Sequence, residues 1–352
     1  MSMMLTGVLL PLLVGSANVQ FGETREYGDW VAGCDNALTC EAVALKPENN
    51  FGKFESLVLM RSRTGGKGLD GSPLSIRLQG LSAMTDRYRI LIDGKLADTG
   101  AVNQQDHQIE ITSLDAIRLA RGIAKGSKMR VEDGLGNVLA TFSLKGSAAT
   151  LRYMDTQLGL SGTREAIVAR GRRTARSGMP EIPVITAARI NAGGRIPGTT
   201  ELVELIEDSP CADSRIGVTE DRTWPLGKQG DSERALVLLS CGSGAYNFTS
   251  AVYLATSQSG GDWKFEFAPF DVKPRSFDPG GNMPVLVNAD WTPSEQTLFS
   301  FAKTRGLGDC GDSAAYVWDG DMFRLSGASI MPTCRGSLDW ITVWRTKIDF
   351  VG

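Results

Sequence analysis

The sequence predicts a mainly β fold that consists of two β-rich domains. Apolar residues alternate with polar ones in several short segments, turn residues separate those segments, and the composition changes near the middle of the 352-residue chain. We expect an N-terminal sandwich or partly open barrel that carries two short helices. A C-terminal antiparallel sheet domain with a duplicated hairpin should follow it.

The chain begins with a short apolar run from Met3 to Val14. About a dozen residues are too few for a helix that spans a membrane and are typical of the core of a signal peptide. The small residues Gly15-Ser16-Ala17 suit a signal peptidase, so we predict residues 1–17 as a signal peptide that is cleaved after Ala17. The alternative is a buried N-terminal strand or helix, because no Lys or Arg precedes the run.

Residues 18–163 are predicted as the N-terminal β domain. Four segments have the period-2 alternation of half-buried strands: Leu74 to Leu78, Tyr88 to Ile92, Ile109 to Ile111, and Phe142 to Leu144. Asp93-Gly94 is a turn signal between two of them. A helix is expected from Ser113 through Arg121, ended by Gly122, and a second from Ser147 to Leu158, ended by Gly159.

The next stretch, residues 164–199, is basic and rich in proline and glycine, with seven arginines against two glutamates. Such a composition does not readily build a core, so we predict a solvated linker that lies against an acidic second domain. Contact of the arginines with nucleic acid or anionic lipid is the alternative. Nucleic acid is disfavoured, because no aromatic residue is interleaved with the arginines to stack on bases.

Residues 200–352 are predicted as a C-terminal acidic β domain rich in tryptophan. They contain 21 acidic against 13 basic residues and six of the seven tryptophans. A short acidic helix from Thr200 to Glu207 opens the domain. Two segments then resemble each other, since Cys241-Gly242 and Cys310-Gly311 each precede an apolar strand, a glycine turn and a second strand. We therefore expect a duplicated hairpin inside one antiparallel sheet.

Six cysteines favour an oxidising compartment, since disulfides persist in exported proteins. Spacing favours pairing between nearest neighbours, although other pairings stay open: Cys34 with Cys40, Cys211 with Cys241, and Cys310 with Cys334. Zinc binding is disfavoured because no CxxC spacing occurs and the single histidine lies far from every cysteine.

Three patterns that suggest chemistry are better explained as loops. Gly66 to Gly71 has the spacing of a dinucleotide-binding fingerprint, but Pro73 and another strand follow it instead of a helix. His107 has no nucleophile on a constrained turn nearby in the sequence. Four aspartates lack the spacing of a calcium loop and are typical of turns: Asp309, Asp312, Asp319 and Asp321. We assign no catalytic, cofactor-binding or metal-binding residue and expect no cofactor.

Candidate partner-binding residues lie in the two Cys-Gly hairpins. Loops held by a rigid scaffold often carry function, and Tyr and Trp are frequent anchors of interfaces. We predict Tyr246 and Asn247 in the first hairpin and Tyr316, Trp318 and Asp319 in the second as partner contacts. The alternative is that Tyr246 and Trp318 point inward and pack the sheet.

Several motifs resemble a bacterial family of exported proteins, the domain of unknown function 1176 family. The segments that carry the resemblance are Tyr27 to Asn36 (Tyr-Gly-Asp-Trp-Val-Ala-Gly-Cys-Asp-Asn) with Cys40, Ser143 to Ala149, Cys241 to Asn247, and Trp318-Asp319-Gly320 through Cys334-Arg335-Gly336. The first part is also similar to the invasion-associated locus B family in its Gly-Asp-Trp start, early Cys and Leu-Lys-Gly segment before a helix. These resemblances imply a Gram-negative periplasmic or envelope-associated protein and supply no catalytic residues.

The functional prediction is a non-catalytic binding protein of the periplasm or envelope. Its partner is expected to be an envelope protein or a glycan, with no nucleic acid and no transmembrane segment in the mature chain. A glycan-active enzyme with Asp and Glu as acid and base is one alternative. A purely structural envelope protein is the other.

Overall fold

The structure is a computed structural model in which most regular elements are strands. It describes residues 19–47, 55–63, 73–81, 86–103, 105–106, 108–176, 178, 180–190, 193–215, 220–274 and 283–352. The predicted signal peptide lies outside these residues. No helix in the described part of the chain has both the length and the apolar character that a membrane span needs.

The described residues of the N-terminal half form ten strands and two helices. Its elements are β1 Thr24–Tyr27, β2 Trp30–Cys34, β3 Thr39–Ala44, β4 Ser56–Ser62, β5 Leu74–Gln79, β6 Arg87–Ile92, β7 Lys95–Ala101, β8 Ile109–Thr112, α1 Ser113–Ile123, β9 Lys128–Asp133, β10 Val138–Ser143 and α2 Ser147–Gln157. The four strands and two helices expected from the sequence are therefore confirmed.

The described residues of the C-terminal half form strands, one further α-helix and a short 3₁₀ turn at Ala212–Ser214. Its elements are β11 Val184–Ala188, α3 Thr199–Asp208, β12 Arg222–Gln229, β13 Ser232–Ser243, β14 Phe248–Ser257, β15 Trp263–Phe267, β16 Val285–Val287, β17 Asp290–Thr292, β18 Thr297–Lys303, β19 Gly311–Trp318, β20 Phe323–Met331, β21 Ile341–Arg345 and β22 Lys347–Val351.

Two antiparallel sheets form an open sandwich in the N-terminal half. The first has the strand order β1-β2-β3-β4-β5-β8, and the second has the order β10-β9-β6-β7. Their facing side chains share one core with the apolar face of α1, where Ala116, Leu119, Ala120 and Ile123 recur at helical spacing and are buried. The mainly β prediction is confirmed, and the observed form is the sandwich, not a closed barrel.

The first sheet is covered on both faces. Every residue of β2 is buried, which accounts for its unbroken run of apolar and small side chains. On the face away from the sandwich core, Val31, Val43 and Val58 pack against Ile341 and Val343 of β21. The two halves of the chain therefore share a hydrophobic contact.

The C-terminal strands form two five-stranded sheets that face each other. One has the order β12-β13-β14-β15 with β16 added to β14, and the other has the order β17-β18-β19-β20-β21. Both predicted hairpins exist, as β14–β15 and β19–β20. The expectation of one sheet was wrong, since the hairpins belong to different sheets. In the sheet of β12 to β16, the face that points away from the other C-terminal sheet is covered by α3 through Leu205.

The segment predicted as a linker contains defined structure. Within residues 164–176, Ala166 and Ile167 are buried against the N-terminal sandwich. Strand β11 pairs in parallel with β22 at the C-terminal end of the chain. Ile190 N donates a hydrogen bond to Gln296 Oε1. The basic stretch thus contacts both halves, while the domain boundaries themselves stay a prediction.

Candidate functional site

A cavity of about 110 Å³ lies between the C-terminal sheets and the chain that covers them. Strands β18, β19 and β20 supply its floor, and β16 supplies one wall. Segments 21–24 and 272–274 line the remaining sides. The large apolar side chains of the lining are Phe21, Val272, Leu286, Tyr316, Leu325 and Ile330.

Small side chains on the inner face of the sheet make room for this cavity. Ala314 of β19 is the register partner of Ser300 on one side and Ala328 on the other. Tyr316, one pleat further along, is the partner of Leu325, and both are buried. The space therefore lies where alanine and serine stand at the lining positions of the three strands.

The polar residues that line the cavity are four small residues with hydroxyl groups and two charged residues: Thr24, Ser300, Ser313, Ser329, Lys273 and Asp312. Ser300 Oγ accepts a hydrogen bond from Val287 N at 3.3 Å and lies 3.2 Å from Val287 O, to which it donates. Exposed Lys273 and half-buried Asp312 also line the cavity and carry opposite charges. An apolar space with a small number of polar side chains is typical of sites that bind small molecules.

Asp271 holds the covering segment in place. Its backbone N donates to Phe323 O at 3.1 Å, and its Oδ1 accepts a hydrogen bond from Leu325 N at 2.9 Å. The neighbouring Phe270 ring lies 4.9 Å from the Tyr316 ring in an edge-to-face contact. These contacts fix the wall formed by residues 272–274 against β20.

The N-terminal end of the described chain forms the opposite wall. Gly22 N donates to Val343 O at 2.9 Å, which adds this segment beside β21. A Cβ atom at Gly22 would lie 1.7 Å from Cys34 O, so only glycine fits at this close approach. Phe21 is thereby held beside the cavity, and its ring contacts Trp344 at 6.4 Å.

The predicted contacts of the second hairpin are mostly interior. Tyr316 lines the cavity and is 3% exposed, and Trp318 is 1% exposed. The Trp318 ring lies 5.0 Å from the Phe323 ring, and the Arg234 guanidinium lies over the same indole, 5.0 Å from its centroid. The burial of Trp318 agrees with the alternative that it points inward and packs the sheet, because the alternation of β19 turns both rings inward.

Asp319 closes the turn of the same hairpin. Its Oδ1 accepts hydrogen bonds from Asp321 N and Met322 N, both at 2.8 Å, and its Oδ2 accepts one from Arg324 Nε at 2.6 Å. Burial raises the pKa of the Asp319 carboxyl, but these hydrogen bonds outweigh it and the pKa is lowered. The carboxylate is therefore already occupied by its own turn.

Tyr246 and Asn247 tie the two C-terminal sheets together. The Tyr246 hydroxyl donates to Thr304 O at 2.6 Å, and Asn247 Nδ2 donates to Lys303 O at 2.7 Å. Lys303 is paired with the first residue of β19, whereas Trp318 is the last. The two predicted loops therefore lie at opposite ends of the strands and do not form one surface. Partner binding by either loop stays a prediction.

The three predicted disulfides are present as Cys34–Cys40, Cys211–Cys241 and Cys310–Cys334. Two of them flank the contact between the halves. Directly after Cys334, Arg335 donates to Gly28 O at 2.9 Å and to Asp29 Oδ1 at 2.6 Å. These disulfide-closed segments therefore stabilise the contact between the halves.

Two buried carboxyl groups belong to the same contact. Asp35 forms an ion pair with Arg345. Glu41 accepts hydrogen bonds from Thr342 N at 3.1 Å and Thr342 Oγ1 at 3.2 Å. Burial raises the pKa of both carboxyls, and the partners in β21 lower it only in part. Both groups are enclosed by the two halves, so they serve the contact and not a cleft.

The described residues contain no group of three or more His, Cys, Asp or Glu side chains that could hold a metal ion. Asp309 is engaged by Arg305 and by Gly336 N, and Asp312 lines the cavity. His107 and the Gly66 to Gly71 fingerprint lie outside the described residues.

Local sequence patterns do not reveal the cavity. In β18, Phe299 and Phe301 alternate with Ser300 and Ala302, so periodicity alone would place the phenylalanines inside. The structure does the reverse, with each phenylalanine 38% exposed and the small residues lining the cavity. Alternation in β18 therefore predicts two faces, but it does not show which face borders the cavity.

Comparison with known proteins assigns the family. The model of the family described as "Protein of unknown function (DUF1176)" matches residues 24–347. The chain belongs to this family. A relative from Escherichia coli (strain K12), "Uncharacterized protein YpfG", is 28% identical over 359 aligned residues, and the alignment covers 96% of each chain. These matches do not bear on the resemblance to the invasion-associated locus B family, which stays a prediction.

Among solved structures, one titled "Structural insight into host cell surface retention of a 1.5-MDa bacterial ice-binding adhesin" aligns with 92% of the chain and 76% of its own. Its sequence identity is 9% and its TM-score is 0.13. A TM-score this low carries no argument about fold or function, so the description of the site depends on its own geometry.

Proposed function

We propose that the protein is a non-catalytic binding protein of the bacterial cell envelope, which holds the apolar part of a small ligand in the cavity. The observation that carries this proposal is the cavity itself, which is lined mainly by apolar side chains and bordered by Lys273 and Asp312. An apolar cavity of about 150 Å³ is large enough to hold benzene in another protein. The cavity here is smaller, about 110 Å³, but it opens beside the exposed Lys273, so it suits a short aliphatic chain or a single ring that extends toward the surface.

Location in the envelope is supported by the cysteines and by the N-terminal sequence. Three disulfides favour an oxidising compartment such as the periplasm. The apolar run from Met3 to Val14 has the length of a signal-peptide core. N-terminal sequencing of the native protein should find a chain that starts at Asn18, and an intact Met1 in a cytosolic fraction would contradict export.

A binding role is preferred to glycan hydrolysis because of the lining chemistry. Glycosidases usually place two carboxyl groups on opposite sides of the scissile bond. Asp312 is the one carboxylate among the described residues that line the cavity. The buried Asp35 and Glu41 are bound to Arg345 and Thr342 at the contact between the halves.

Ligand-observed NMR with three probes tests the proposal: indole, benzyl alcohol and hexanoate. Wild-type protein should give saturation transfer to at least one of them, and Ala314→Phe should abolish it by filling the cavity. Ala315→Phe is the matched control, since Ala315 is the next residue of β19 and faces Phe299 on the outer side. Absence of transfer to all three probes, or equal transfer in Ala314→Phe, contradicts the proposal.

A further inference from the structure

A groove of about 460 Å³ lies on the sheet of β17 to β21, on the face that points away from the cavity. Phe301 of β18 is the register partner of Ser313 in β19, which is in turn the partner of Ser329 in β20. Directly opposed residues of neighbouring strands point to the same face, so these three side chains form one row across the groove. Segments 306–308 and 338–340 border this row. Both serines also border the cavity, since β19 and β20 form the wall between the two spaces.

Two stacked aromatic rings form a platform at one side of the groove. The Phe301 and Trp340 rings have centroids 4.5 Å apart and an interplanar angle of 27°. Phe301 remains 38% exposed despite this contact, and Leu338, which lines the same groove, is 53% exposed. Large apolar side chains that share an exposed groove mark an interaction surface.

The surrounding backbone holds this platform in place. Trp340 Nε1 donates a hydrogen bond to Gly308 O at 3.2 Å, and a Cβ atom at Gly311 would lie 2.9 Å from Cη2 of the indole. The chain around Gly308 is closed by a hydrogen bond from Thr304 N to Cys310 O at 3.0 Å, and Cys310 belongs to a disulfide. Because the rings already have their arrangement, a ligand that stacks on them does not have to order them.

Lys303 gives the groove a positive charge and is the one charged residue among the described residues that line it. It follows Phe301 by two positions in β18, so both side chains point to the same face. A Cβ atom at Gly308 would lie 3.4 Å from Lys303 Cδ, which places the lysine stem against the border of the groove. The ammonium group forms no ion pair with a described residue, whereas the neighbouring Arg305 is bound to Asp309. The groove therefore combines aromatic rings with a cation that has no carboxylate partner within the described chain.

We propose that this groove binds an acidic saccharide, a glycan whose sugar rings carry carboxylate groups. The C–H groups on the face of a sugar ring carry partial positive charge, and the face of an aromatic ring such as Phe301 is negative, so the two stack. The half-buried hydroxyl groups of Ser313 and Ser329 form no hydrogen bond with a described residue, and each can donate to or accept from a sugar hydroxyl. Lys303 supplies a charge-assisted hydrogen bond to the carboxylate. This site is independent of the ligand proposed for the cavity, because it opens on the other face of the sheet.

Isothermal titration of the intact protein with two trisaccharides in low-salt buffer tests this site: trigalacturonate, which is acidic, and maltotriose, which is neutral. Wild-type protein should bind trigalacturonate about tenfold more tightly, because only that trisaccharide has carboxylates for Lys303. Lys303→Gln should remove this preference. Phe301→Ala should weaken the binding of trigalacturonate about fivefold through the loss of stacking. Lys303 is a partly exposed lysine without an ion pair to a described residue, so Lys303→Gln should fold even where Phe301→Ala does not.

Phe267→Ala is the matched control. Phe267 is also 38% exposed and its ring lies 4.9 Å from the Tyr253 ring, but it belongs to β15 and does not line the groove. Its loss should change the binding of trigalacturonate by less than about twofold. Preferential binding of trigalacturonate that Phe301→Ala weakens and Phe267→Ala preserves supports the site.

Three results of the titration overturn the proposal: no binding of trigalacturonate, equal affinity for the two trisaccharides, or an equal loss of affinity in Phe301→Ala and Phe267→Ala. Sedimentation velocity without ligand tests whether a second copy of the chain covers the groove instead. A wild-type dimer that Phe301→Ala dissociates would assign the aromatic platform to a contact between two copies, and it would also overturn the saccharide site.

Discussion

The core of the N-terminal sandwich and the inner face of the last C-terminal sheet are both covered by other parts of the chain, but they are filled differently. In the sandwich, Leu59, Ile76 and Leu78 are 0% exposed and meet the apolar face of α1. On the inner face of the last sheet, Ala314 and Ala328 stand at the corresponding central positions and border a cavity. Covering a sheet therefore does not by itself produce a filled core, because the volume of the side chains decides the outcome.

The largest loss of stability is expected for a substitution at the end of the last sheet that contains Trp318, where the core is filled. Trp318→Ala removes an indole that is 1% exposed, and the free energy of unfolding should fall by about 3–5 kcal/mol. Phe248→Ala is the control, since Phe248 is 49% exposed and its loss should cost less than about 1 kcal/mol. Urea denaturation measures both, and a Trp318→Ala variant as stable as the control would show that this end is not packed as described.

A pair of enlarging substitutions compares the two regions directly. Ala120→Leu in α1 adds volume to the filled sandwich core and should cost about 1–3 kcal/mol in the free energy of unfolding. Ala314→Leu adds the same volume beside the cavity and should change stability by less than about 0.5 kcal/mol. Thermal unfolding followed by calorimetry ranks the two variants. Equal losses of stability would mean that the space beside Ala314 cannot accept a larger side chain.

The contact between the halves adds a third kind of packing, which contains buried carboxyl groups. We expect a substitution of one of these groups to change the free energy of unfolding least. The pKa of Glu41 is raised in the folded protein, so its ionised form destabilises the fold above that pKa, and this cost disappears as the pH falls below the unfolded pKa. Glu41→Gln should therefore be at least as stable as wild type at pH 8. We expect any such advantage to vanish at pH 4.

Urea denaturation of wild type and Glu41→Gln at the two pH values measures this difference. Thr342→Val is a useful control, because it removes one donor to Glu41 and leaves the carboxyl group in place. A wild-type protein that gains stability relative to Glu41→Gln as the pH rises would contradict the direction of the pKa shift.

Local patterns in the sequence were sufficient for the elements that depend on near neighbours. The period-2 runs predicted β5, β6, β8 and β10, the helix start and stop signals predicted α1 and α2, and spacing favoured the observed disulfides. The strands and helices depend on residues that are close in the sequence, and each disulfide joins cysteines no more than 30 residues apart. Long-range contacts were not accessible in this way.

The cavity and the conformation of the basic segment at residues 160–176 depend on contacts between distant parts of the chain. Asp155 is buried on α2 beside Leu151 and Met154, and its carboxylate accepts hydrogen bonds from the backbone of Ile167, Val168 and Ala169. The composition of the basic segment predicted only a solvated linker, because composition does not show which backbone amides a distant carboxylate will bind. The inward direction of Trp318 likewise depends on which sheet its hairpin joins.

The most direct test of the cavity is a crystal structure of the protein under xenon pressure. Xenon occupies apolar cavities without needing polar partners. The account predicts a xenon atom between Leu286, Tyr316 and Leu325 in wild-type protein and its loss in Ala314→Leu, with the Ala120 side of the sandwich core unoccupied in both. Side chains closed over this space with no xenon between the sheets would contradict the cavity, and with it the proposed binding function.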